Sequence, residues 1–270
     1  MKKKKVLLIS PHPDDIEFFA SELCMQSIKA RYETHELISC CDEYGTTRNQ
    51  FKGKRIRRIR RLEMLKAARH YGVDEKGNLL LKLHWANYID GFVPFNRQSV
   101  ERYKKFILRL KPDIIAGPAP FIYFDGHRDH IATGKNYYYS LESIPNSQRP
   151  AIMLFYQTLM PQIFIKSKYQ KETKKAWLSH SSQMEFMINF FRRNKNLLYI
   201  SRLIKNHATK TAEAYRLVKF DRSIRKPKGI AKILFEIIFD DYGWGDSDPD
   251  LFIPTPEELG LDMNPTDEIV

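Results

Sequence analysis

Along most of this chain, short aliphatic runs alternate with longer stretches of helical periodicity. Residues 5–10 carry Val6-Leu7-Leu8-Ile9 with no polar interruption, the pattern of a strand buried on both faces. Residues 14–30 follow with Ile16, Phe19, Ala20, Leu23 and Ser27 on one helical face. The same reading predicts strands over 34–41, 78–83, 113–117 and 151–158, and a short late strand over 215–220. It predicts helices over 54–71, 99–110, 131–143, 171–182 and 184–206. Gly72 and Lys111-Pro112 stop two of these helices. The segments 42–54 and 85–96 read as loops, the second rich in aromatic residues. Alternating strands and helices imply an α/β fold. The expectation is a Rossmann-like, mostly parallel sheet with helices on both faces.

This single domain is expected to span 1–221. A basic connector (222–229) and a C-terminal arm complete the chain. The arm is rich in Asp, Pro and Gly, and no Lys or Arg follows Lys232.

Polar chemistry concentrates where two predicted strands end. The first strand runs into Ser10-Pro11-His12-Pro13-Asp14-Asp15, and the fourth leads to Asp125-Gly126-His127-Arg128-Asp129-His130. Ligand sites of open α/β sheets lie at the carboxyl ends of strands. His12 and Asp15 offer a borderline nitrogen and a hard oxygen, a pair suited to zinc or another divalent metal. With one of the two later histidines they make three protein ligands, leaving a fourth position for water, as in catalytic sites. Asp14 is then left over as a general base.

These residues resemble the PIG-L/LmbE-like zinc-dependent N-deacetylases, and more narrowly their archaeal diacetylchitobiose deacetylase branch. Further segments fit in order: Cys41-Asp42-Glu43-Tyr44-Gly45-Thr46-Thr47, Arg60-Arg61-Leu62-Glu63, Trp85-Ala86-Asn87-Tyr88-Ile89-Asp90, Ser179-His180-Ser181-Ser182-Gln183 and Ala212-Glu213-Ala214-Tyr215-Arg216. The resemblance implies Zn2+ held by His12, Asp15 and His130, with Asp14 as base. His127 would act as an imidazolium facing the oxyanion, its pKa raised by Asp129. Arg60 is expected to contact the sugar; Asn87 and Asp90 would bind sugar hydroxyls or serve turn chemistry, and His180 and Gln183 would either approach the site from a late helix or make a helix-packing contact. Trp85, Tyr88 and Phe92 would form either a stacking wall or core. The implied reaction removes acetyl from an N-acetylated amino sugar of N-acetylglucosamine type. The related branch forms homo-oligomers, so self-association is expected. One departure stands out. Phe18-Phe19-Ala20-Ser21-Glu22 replaces the family's glycine-rich stretch, which bears on pocket shape rather than reaction type.

Composition narrows the alternatives. A hydrophobic fraction of 43% is ordinary for a globular protein, and no apolar run is long enough to span a bilayer. Lys2–Lys5 before a short apolar run lacks a cleavage site, so a cytoplasmic location is expected. The three cysteines, Cys24, Cys40 and Cys41, argue against a disulfide framework; Cys40-Cys41 reads as the buried end of a strand. A net charge of +13 and the run Lys54–Arg61 raise a rival reading, a nucleic-acid or anionic-surface binder. The absence of a recognised reading motif weighs against it. Two further rivals are a deacylase of another amide conjugate and a metal-binding homologue without activity.

Overall fold

The computed structural model describes residues 3–120, 127–158, 161–184 and 212–220. Its strands are β1 (Lys5–Ser10), β2 (Glu33–Cys40), β3 (Leu81–Tyr88), β4 (Ile114–Pro118), β5 (Ile152–Tyr156), β6 (Ile163–Lys166) and β7 (Ala212–Leu217). They form one sheet in the order β3-β2-β1-β4-β5-β7-β6. The first five pair in parallel; β7 runs antiparallel to β5 and to β6.

The helices are α1 (Asp15–Phe19), α2 (Ser21–Lys29), α3 (Lys54–Tyr71), α4 (Arg97–Leu110), α5 (Arg128–Ser143) and α6 (Gln170–Trp177). Alternate residues of β1 serve opposite faces, as pleating requires. Val6 and Leu8 join Ile16, Cys24, Met64 and Tyr71 in one core layer. Leu7 and Ile9 join Tyr103, Ile107, Tyr137 and Tyr138 in the other. All four β1 aliphatics are fully buried, which is why this strand reads as unbroken hydrophobicity.

The single helix expected over 14–30 is two. The break is at Ala20 (φ −143°, ψ 19°). The N–H groups it frees on Glu22 and Leu23 donate to the Glu213 carboxylate on β7, at 2.7 and 3.1 Å. Residues 85–88, expected in a loop, extend β3 instead, and β6 has no counterpart in the sequence expectation. The helix expected over 184–206 and the arm beyond 221 lie outside the described residues. Among the described residues, no helix is long and apolar enough to cross a membrane.

Strand order decides where chemistry can occur. From β1 the chain steps outward through β2 to β3, then returns to place β4 on β1's other side. The crevice at the carboxyl ends of β1 and β4 is therefore the topological switch point, where ligands of such sheets bind.

Candidate metal centre

The turn leaving β1 closes on itself. The His12 backbone N–H donates to Asp15 Oδ2 at 2.8 Å, with Pro11 and Pro13 on either side limiting φ. His130, in the first turn of α5 beyond β4, completes a triangle. His12 Nδ1 lies 3.1 Å from His130 Nε2 and 3.3 Å from Asp15 Oδ2; His130 Nε2 lies 3.4 Å from Asp15 Oδ1. Ligands about 2.0–2.1 Å from a common tetrahedral centre sit roughly 3.3 Å apart, so this donor set fits a zinc-sized ion. His127 stands beside it, more exposed, its ring centroid 4.7 Å from that of His12 and 5.2 Å from that of His130.

The outer nitrogens are held as well. His12 Nε2 faces Asp90 Oδ1 and Asp129 Oδ2, each at 3.3 Å, which leaves the Nδ1 lone pair pointing into the triangle. The Gln157 Nε2 amide group lies 3.0 Å from His130 Nδ1 and donates to that ring nitrogen. Burial alone would lower the His12 pKa. Cys40 and the carboxylates of Asp129, Asp15 and Asp90 outweigh it and push it well above 6.5. Surroundings that favour a protonated imidazole so strongly are short of positive charge, which a divalent ion supplies.

Asp14 occupies the N-cap position of α1, yet its side chain makes no cap hydrogen bond. It lies 3.0 Å from Arg60 Nη2. Burial would raise its pKa, but the Arg60 guanidinium holds the carboxyl below its ordinary value. Arg60 is fully buried on α3, with Nε 2.6 Å from Asp42 Oδ2 and Nη1 3.4 Å from both Glu63 Oε2 and His180 Nδ1. It pairs with the Asp14 carboxylate and has no exposed surface for a sugar, contrary to the expectation above. His180 is equally buried, between Arg60 and Glu17 Oε2 at 3.4 Å, so it too stands behind the site.

Other expected sugar contacts are displaced for similar reasons. Asp90 is occupied by His12 and by the Tyr44 backbone N–H. Asn87 Oδ1 accepts from Arg61 at 2.6 Å and Arg57 at 3.4 Å. Gln183 donates to the Gly45 carbonyl. Tyr88 packs in the core, and Trp85 lies under the Arg61 guanidinium. The Asp129 carboxylate accepts from Gly91 and Val93 N–H groups and faces His12. Its backbone N–H donates to His127 Nδ1 at 3.3 Å. The His127 pKa is accordingly not raised: burial, then His12 and His130, lower it to about 4.

In the cationic run, Arg57 and Arg60 turn inward, and Lys54, Arg55 and Arg58 face solvent. Cys40 and Cys41 are buried, as expected. Gln157 and Glu17 belong to no motif, and Cys40, Asp42 and Glu63, named in the sequence analysis, were given no part in the site there. Asp42 (φ 62°) and Gln157 (φ 52°), just beyond β2 and β5, and Asn87 (φ 58°), next to the end of β3, adopt left-handed conformations, a strain that clusters at functional sites.

Comparison with known proteins bears on the family and the fold. Residues 7–138 match the family described as PIG-L, GlcNAc-PI de-N-acetylase. They are a PIG-L family domain. The chain is 27% identical over 198 residues to a diacetylchitobiose deacetylase of Thermococcus kodakarensis, covering 67% of this chain and 70% of that one. It superimposes on the N,N'-diacetylchitobiose deacetylase of Pyrococcus horikoshii with a TM-score of 0.67 and 25% identity, covering 80% and 84%. The protein TT1542 of Thermus thermophilus, at 18% identity and a TM-score of 0.59 over 80% and 96%, shares the fold. His12-Pro13-Asp14-Asp15 and His127–His130, both within residues 7–138, lie on the two loops that meet at the switch point.

Proposed function

We propose that this protein is a metal-dependent hydrolase that removes acetyl from an N-acetylated amino sugar of N-acetylglucosamine type. The observation that carries the reading is the convergence of His12 Nδ1, His130 Nε2 and the two Asp15 carboxylate oxygens, Oδ2 facing His12 and Oδ1 facing His130, at separations of 3.1–3.4 Å, with Asp14 directly alongside in sequence. His12, Asp15 and His130 would hold the ion; Zn2+ suits the set. A divalent ion held there supplies Lewis acidity toward an amide carbonyl and makes water a stronger acid.

The protein's own groups do the rest. Asp14, kept ionised by Arg60, takes a proton from the attacking water and delivers it toward the departing nitrogen. His127, with Nδ1 accepting from the Asp129 N–H, keeps its proton on Nε2 and donates it as a neutral hydrogen bond to the oxyanion. The test combines metal analysis of the purified protein with acetate release from chitobiose-type substrates. Metal bound with acetate released supports the reading; metal bound without acetate from any N-acetyl sugar overturns it.

One observation favours a second reading on the same site, a deacylase of a bulkier amide conjugate. Phe18, four residues past Asp14, is half-buried and stands edge-on to Trp177 with centroids 5.8 Å apart. An apolar pair one helical turn along the chain from Asp14 suits an acyl or aglycone group larger than acetyl. A substrate panel varying the acyl chain and the aglycone separates the two.

A further inference from the structure

His12 has donors on both sides of its ring. Beyond Nε2, away from the triangle, Cys40, Asp90 and Asp129 gather with it, one donor atom from each lying within 4.8 Å of the others. All four residues are buried, between 0% and 6% exposed. Nε2 is 3.3 Å from each carboxylate, and Cys40 Sγ is 3.8 Å from Asp129 Oδ2. One N–H thus faces two buried carboxylates, and a single proton cannot serve both at full strength. One nitrogen, one sulfur and two oxygens at these separations resemble the donor set of a tetrahedral site with a sulfur ligand at about 2.3 Å.

We infer that His12, Cys40, Asp90 and Asp129 form a second, thiophilic metal site that shares the His12 imidazole with the first. Binding releases two protons, one from Cys40 Sγ and one from His12 Nε2, and both ring nitrogens then carry a cation. The carboxylates that had held the Nε2 proton become ligands, so the ring loses the support that orients Nδ1.

The test strips the full-length protein with chelator and titrates it with Co2+. Saturation at two equivalents is expected, with a near-ultraviolet sulfur-to-cobalt charge-transfer band. Cys40→Ser, checked for fold by circular dichroism, saturates at one equivalent without the band. Asp15→Ala loses the first site and keeps the band. A band absent at saturation in the wild type, or surviving in Cys40→Ser, overturns the inference. X-ray absorption of the fully zinc-loaded wild type needs no variant: a sulfur neighbour at about 2.3 Å supports the site, and its absence overturns it. None of these readings involves turnover, so they stand apart from the fate of the proposed reaction.

Discussion

At the scale of single residues, the site is a problem of charge. Asp14, Asp42 and Glu63 converge on one guanidinium, that of Arg60, which is fully buried. Removing it strands carboxylates in the interior. Arg60→Ala is expected to cost about 3–5 kcal/mol in urea unfolding. Arg60→Lys keeps the charge but loses the planar fork, so it should recover part of that stability and less of the activity. Asp14→Ala poses a different question. It should leave metal content unchanged and lower turnover by about 10²–10⁴; turnover within tenfold of wild type would remove Asp14 from the mechanism. His12 and Asp15 were legible as candidate ligands from residue type and spacing. Arg60 as a support, rather than a sugar contact, was not. A sequence lists the cations of a helix without saying which one turns inward.

At the scale of elements, two features depend on partners distant in the chain. The α1–α2 break is sustained by Glu213, 191 residues from the Glu22 N–H it accepts. Glu213→Ala leaves helix N–H groups without an acceptor and should cost about 1–3 kcal/mol, read as a lower denaturation midpoint. Helical periodicity runs straight through Ala20, so the break has no local signature.

The second feature joins β2 and β3. His35 Nδ1 lies 2.9 Å from His84 Nε2, with the rings stacked at 16°. Burial first, and then His84, lower the His35 pKa from 6.5 to about 4; Glu33, 3.1 Å away, opposes them. His84 is lowered too, by burial and by Arg109 and Lys82. Between pH 6.5 and 4 the unfolded chain therefore binds protons that the folded protein does not. Stability is intact above about 6.5 and falls as the pH drops toward 4. Thermal midpoints measured across that range should show the decline, and His84→Leu should flatten it.

At the scale of the whole molecule, a metal ion would tie together the two loops that the switch point brings side by side. Zinc should then raise the thermal midpoint, by the equivalent of about 2.7 kcal/mol at a hundredfold excess over its dissociation constant. Chelation should reverse the shift, and His12→Ala should abolish it. A midpoint indifferent to zinc would count against a site spanning β1 and β4.

The sequence alone determined the α/β alternation, the buried β1 and the two polar clusters at strand ends. Hydrophobic period and residue chemistry are local properties, written position by position. Tertiary structure decided which polar groups face the crevice and which are consumed behind it. Asp90 and Asp129 turn to His12, Asn87 to two arginines, and Gln157 arrives from β5 with no motif of its own. It also decided the order of strands, and so that His12 and His130, 118 positions apart, meet at 3.1 Å. The physical reason is that a buried polar group takes whichever partner the packed chain brings within hydrogen-bonding distance, and that choice is made only when the sheet is assembled.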